Sequence, residues 1–189
     1  MRATTIITFA TGTMLLCAAP LVHAQATPGA RDQASAMAQR GQLSDSDYRF
    51  VEKAARGGLE EVELGQLAEQ KGNDQSVREF GKRMVTDHTK LNDQLKQIAS
   101  QKGATLPASM TQHENSSMQK LEGATGVKFD QTYAKNMVKD HKKDLKEFQN
   151  AAKSLQDPEL RNFAESAVPI LQEHLTMAQN METTVKSEK

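Results

Sequence analysis

Four long stretches of this chain repeat apolar residues at every third or fourth position, and no segment alternates as a strand would. That periodicity restricts the fold to packed helices. The first stretch starts at Ser44 or Asp45, either of which can cap a helix, and runs to Gln70 before Lys71-Gly72-Asn73 stops it. The second starts near Asp74 and ends before Gly103. Ala104-Thr105-Leu106-Pro107 then breaks the chain, a short helix follows from Ala108 to Leu121, and Gly123 and Gly126 mark another break. The third long helix spans Val127 to Leu155, and Asp157-Pro158 opens the fourth with proline in its first turn.

Segments of roughly 27 to 30 residues are each on the order of 40 Å long. Tight turns join the first to the second and the third to the fourth, so each pair makes an antiparallel hairpin. The residues between the hairpins, short helix included, suffice to travel the length of a bundle. The expected fold is therefore all-α: a four-helix bundle over residues 45–186 with one long crossover carrying a short helix, the ferritin-like arrangement. Residues 187–189 are left as a tail.

The beginning of the chain reads as a secretory signal over residues 1–24. Arg2 gives a minimal positive start, an apolar run extends from Ile6 to Val22, and Val22-His23-Ala24 offers small residues for cleavage. The run is too short to be kept as a spanning helix. Cys17 follows Leu16, where lipidation needs a small residue, so it leaves with the signal and the mature chain has no cysteine. Residues 25–44, rich in Ala, Gln, Gly and Ser without periodicity, read as a flexible tether. The expected location is the periplasm, or association with an outer membrane.

Composition excludes some partners. The chain carries 24 basic and 24 acidic residues, a balance that argues against nucleic acid or an anionic membrane surface. Trp is absent and aromatics make up 4%, which removes the usual platform for stacking bases or sugars. An envelope partner or a homo-oligomer stays open. Nearly all the methionines of the mature chain fall at helical positions and read as core filler.

Three histidines carry the functional argument. In the second helix Val77, Met84, His88, Leu91, Leu95 and Ile98 share a stripe. In the third, Tyr133, Met137, His141, Phe148 and Leu155 do so, and in the fourth Leu160, Ala167, Leu171, His174, Ala178 and Met181. Each histidine points at the core near the middle of its helix, so helices of equal length bring all three to one height. On the first helix Phe50, Ala54, Glu61, Leu64 and Ala68 turn Glu61 inward, whereas Val51, Ala55 and Val62 suggest a rotated face that would favour Glu63. His113, among polar residues on the crossover, reads as solvated.

Imidazoles and a carboxylate at one level of a core must satisfy each other, hold water or bind an ion, because buried polar groups left unpaired are costly. Two readings follow. One is a metal site on Glu61, His88, His141 and His174, a donor set suited to one zinc, iron or manganese ion. Glu63, Asp87, Asp140 and Glu173 would then accept imidazole N–H groups behind the ligands. The other is a hydrogen-bond network that only organises the core. Pro169, five residues before His174, should bend the fourth helix or free a carbonyl.

An internal echo accompanies the histidines. Residues 80–90, Phe-Gly-Lys-Arg-Met-Val-Thr-Asp-His-Thr-Lys, return at 133–143 as Tyr-Ala-Lys-Asn-Met-Val-Lys-Asp-His-Lys-Lys. This reads as a duplicated helical hairpin.

From Asp45 to Met181 the chain resembles a bacterial family of exported ferritin-like proteins defined as domain of unknown function 4142. The resemblance rests on Glu61-Val62-Glu63-Leu64-Gly65 with Leu67-Ala68, on Phe80, Met84 and Asp87-His88, and on Gly103 with Leu106-Pro107. It continues through Phe129-Asp130, Tyr133, His141, Pro169 and His174-Leu175. It implies a ferritin-like bundle in the envelope and no established activity. The residues three before each histidine are Val85, Val138 and Leu171, so the Glu-x-x-His pattern of di-iron bundles is not met. The mature chain also offers no cysteine nucleophile and no phosphate-binding glycine loop. The expectation is a binding or structural protein rather than an enzyme.

Overall fold

The computed structural model describes residues 28–187, of which residues 28–31, 34 and 113–117 are described by backbone alone. The expected signal over residues 1–24 lies outside the described residues. Among the described residues every regular element is a helix: α1 Pro28–Arg40, α2 Asp45–Lys71, α3 Gln75–Gln101, α4 Gln112–Glu122, α5 Gly126–Ser154 and α6 Pro158–Lys186. The four long helices are the expected ones, each within a residue or so of its sequence signals. The crossover helix α4 starts later than expected and is shorter.

The start signals act as capping physics requires. The Ser44 side chain accepts from Asp47 N at 3.1 Å, and Asp74 accepts from Ser76 N at 2.7 Å. Asp157 accepts from both Glu159 N and Leu160 N, with Pro158 placed where no N–H is needed. Helix α6 runs unbroken through Pro169.

Helix α1 departs from expectation. Residues 28–40 are helical where a flexible tether was expected. Ala, Gln, Arg and Met are good helix formers, and the segment is held at its end: Gln42 N donates to Lys102 O at 2.9 Å and Thr105 N donates to Gln39 O at 2.7 Å. Gly41 is required there, since a Cβ would sit 2.2 Å from Lys102 O.

The core falls into two apolar clusters. One gathers the end of α2, the starts of α3 and α5 and the end of α6, around Phe80, Met84, Phe129, Tyr133 and Met181. The other gathers the start of α2, the ends of α3 and α5 and the start of α6, around Phe50, Val51, Leu95, Leu160 and Phe163. α3 therefore ends at the opposite pole from the start of α5, and residues 102–125 travel the bundle's length. α2 packs on α3, α5 on α6, α3 on α6, and α2 only lightly on α5.

Each hairpin turn is clamped by a buried aspartate of the other hairpin. Both Asp130 oxygens accept backbone N–H groups of the α2–α3 turn, from Asn73 at 2.9 Å and Asp74 at 2.7 Å. Both Asp47 oxygens accept from Gln156 and Asp157 in the α5–α6 turn, each at 2.9 Å. Arg78 donates to the Gly72 and Asn73 carbonyls, and Arg161 to those of Leu155 and Gln156. One sequence interval separates Asp47 from Asp130, Asp74 from Asp157 and Arg78 from Arg161. The fold thus repeats hairpin on hairpin, an alignment different from the 80–90 and 133–143 echo, which pairs α3 with α5.

In the first hairpin α2 and α3 approach through Gly65 and Gly81. A Cβ at Gly81 would lie 2.6 Å from Gly65 O, and one at Gly65 would lie 2.8 Å from Gly81 O. With α2 drawn onto α3 and only lightly packed on α5, a cavity of about 410 Å³ lies along the α2/α5 side.

Candidate metal centre

Between the two clusters lies one polar layer. His88 on α3 is 6% exposed, and His141 on α5 and His174 on α6 are fully buried. Their ring centroids stand 5.9 Å (His88–His141), 5.4 Å (His88–His174) and 5.3 Å (His141–His174) apart. One ring nitrogen from each lies within 4.8 Å of the others. Nitrogens around a tetrahedral ion at 2.0–2.1 Å stand about 3.4 Å apart, a spacing that modest ring rotation reaches.

Hydrogen bonds fix which nitrogens face one another. His141 Nδ1 donates to the Met137 carbonyl one turn earlier at 3.0 Å, which leaves Nε2 with its lone pair. His174 Nε2 donates to Asp87 Oδ2 at 3.0 Å, which leaves Nδ1. Those two atoms and His88 Nε2 are buried with no hydrogen-bond partner. His141 and His174 each keep one nitrogen with an unshared lone pair, and His88 Nε2 is the third nitrogen of the layer without a protein partner.

Electrostatics keep the rings neutral. Burial, and then the neighbouring His174 and His141, lower His88 from 6.5 to about 3. Burial and His174 lower His141 to about 4. Burial also lowers His174, with the Asp87 carboxylate opposing. Neutral imidazole is the form that binds metals. Burial pushes Asp87 up, but hydrogen bonds from Arg83 and His174 outweigh it and hold its carboxyl below the ordinary value. Arg83 pairs with both Asp87 and Glu173, the latter at 3.1 Å.

The expected carboxylates divide. Glu61 is buried, as the inward stripe required, yet it does not join the nitrogens. Its Oε1 lies 3.9 Å from His141 Nδ1, on the ring edge already bonded to Met137, and its Oε2 has no partner. Burial raises its pKa well above normal, reinforced by Asp144, Asp140 and Glu60. Glu63 is exposed instead of standing behind a ligand, because the face holding Phe50, Val51, Ala55, Glu61 and Leu64 turns it outward. Asp87 occupies the supporting place, on His174 of the adjacent helix. Glu173 is exposed and reaches the layer only through Arg83. Asp140 is half-buried and lines the α2/α5 cavity. The His113 side chain lies outside the described residues.

Two groups were missed in the sequence. Tyr133 Oη is buried without a partner, and burial with the nearby Glu61 charge raises its pKa. The signal was there, since a hydroxyl replaces the Phe80 ring position in the second copy. Tyr133 packs edge-on to Phe80, which in turn packs edge-on to His141, both at 6.1 Å. Asp144, one turn beyond Asp140, also lines the cavity, and burial raises it to about 6. The signal was there too, since Asp144 stands three residues after His141 and four before Phe148 on the third-helix stripe.

No helix among the described residues is long and apolar enough to cross a membrane. No curated protein and no solved structure matches the chain. A family model does match, over residues 32–181, which include the whole polar layer and both turn clamps. The chain belongs to the family described as Domain of unknown function (DUF4142).

Proposed function

We propose that this chain is an exported envelope protein that holds one transition-metal ion, zinc, iron or manganese, on His88, His141 and His174. The observation that carries this reading is the convergence of three buried, unpartnered ring nitrogens from three helices. Two of the rings are already oriented for the task, His141 by Met137 O and His174 by Asp87. The amino-terminal charge and apolar pattern supports export, and the single crossover supports a ferritin-like ancestry. Three imidazoles without the paired carboxylates of a di-iron centre suit a holding role more than oxygen chemistry.

The test is elemental analysis of the protein purified from periplasm. One ion per chain, lost in His88→Ala and in His141→Ala, is the expected result. The second reading, a layer that only organises the core, draws on the bonds already made by His141 and His174. Protein that stays metal-free after challenge with zinc, iron and manganese would establish that reading and sink the first.

A further inference from the structure

The cavity on the α2/α5 side joins the surface to the polar layer. Exposed Lys53, Lys139 and Lys143 stand at its rim, and buried Glu61 and His88 lie on its floor. Between rim and floor come Glu147, Asp144 and Asp140, all half-buried. Lys53 pairs with Glu147, and Lys139 and Lys143 offset part of the charge on Asp140 and Asp144. Deeper in, Asp144, Asp140 and Glu60 act on Glu61 as like charges. Carboxyl groups therefore line the way inward while the lysines stay at the mouth. Two atoms on the floor, Glu61 Oε2 and His88 Nε2, are buried and unpartnered.

Resting on the metal reading above, we infer that this cleft is the route by which a divalent cation reaches the histidines, with Asp140, Asp144 and Glu61 as its successive carboxylate steps. A low-dielectric channel lined by one sign of charge concentrates the opposite ion and speeds its entry. Hard carboxylate oxygens hold a hydrated cation weakly, and the neutral imidazoles beyond take it more firmly. Glu61 stands on the Nδ1 side of His141, outside the nitrogen cluster, which is where a last step before the site belongs.

Two variants of the mature chain test the route without touching the histidines. Gly57 lines the cleft, and a Cβ there meets nothing within 4 Å, so Gly57→Phe would plug it while replacing a helix-weakening residue. Asp140→Asn combined with Asp144→Asn would strip its charge. Loading is followed by stopped-flow absorbance with Co²⁺, and the final ratio by elemental analysis. Both variants should end at the wild-type ratio, with the charge-stripped one loading about tenfold more slowly and losing the wild-type dependence on salt. Wild-type protein that loads while both variants load at its rate overturns the route and leaves the site intact. A lower final ratio in the charge-stripped variant makes those carboxylates ligands and also overturns it. If wild-type protein takes up no ion, the site reading fails and the route fails with it.

Discussion

His88 carries two separable liabilities in the folded chain: a nitrogen with no partner, and a ring that must stay neutral. The second hairpin holds Leu171 at the corresponding place, so leucine fits this kind of position. Metal-free His88→Leu is expected to be more stable than metal-free wild type at pH 7 by about 1–3 kcal/mol, the usual penalty of an unsatisfied buried group, as measured by urea unfolding. The pH dependence has a definite sign. With His88 at about 3 and His141 at about 4 in the fold, the unfolded chain binds protons near 6.5 that the folded chain refuses. Their stabilisation is complete above pH 6.5 and is lost as pH falls through about 4 for His141 and about 3 for His88. Asp144, raised to about 6, opposes this: its contribution is full below 3.8 and is lost as pH rises through 6. His88→Leu should therefore flatten the decline toward acid. A destabilised variant at pH 7 would mean the imidazole was held by structural bonds. The inward direction of the histidines was legible because each sits in an unbroken three-four stripe. The ambiguous rotation of α2 was not, since Glu61 and Glu63 differ only in which of two overlapping stripes is followed.

Among the elements, the turns are where the two hairpins lock together. Asp130 is fully buried, and each of its oxygens accepts a backbone N–H of the α2–α3 turn. Asp130→Ala should cost about 3 kcal/mol in urea unfolding, since hydrogen bonds to a charged group are strong and two would be lost together. Asp45→Ala, which removes an exposed ion pair with Arg40, serves as the contrast and should change little. An Asp130→Ala variant with wild-type stability would show that the turn finds its own partners. The helices themselves were legible from periodicity and caps, whereas α1 was not, because it lacks an apolar stripe and is anchored through backbone bonds to distant residues. The hairpin repeat was hidden for a related reason. It is carried by isolated Asp and Arg residues at turns, while the visible echo marks two helices, α3 and α5, that face the same layer.

Across the whole molecule, the apolar core is interrupted at mid-height by the histidine layer, and Phe148, half-buried, is the side chain that packs against both the cluster around Phe80 and that around Phe50 among the described residues. The stripes predict a core, and the mid-helix place of each histidine predicts that the three meet at one height; which of their nitrogens face one another depends on hydrogen bonds to Met137 and Asp87 that no stripe displays. Such a waist makes each half a separately greasy block that can loosen without the other. An ion gripped from α3, α5 and α6 would act as a rivet through that waist. Amide hydrogen exchange should then reveal unequal protection of the two halves in metal-free protein and a common, slower rate once Zn²⁺ is added. Equal protection without metal would mean the bundle already moves as one piece. If the rivet holds, metal supply sets not only whether the site is filled but how stiff the entire rod is.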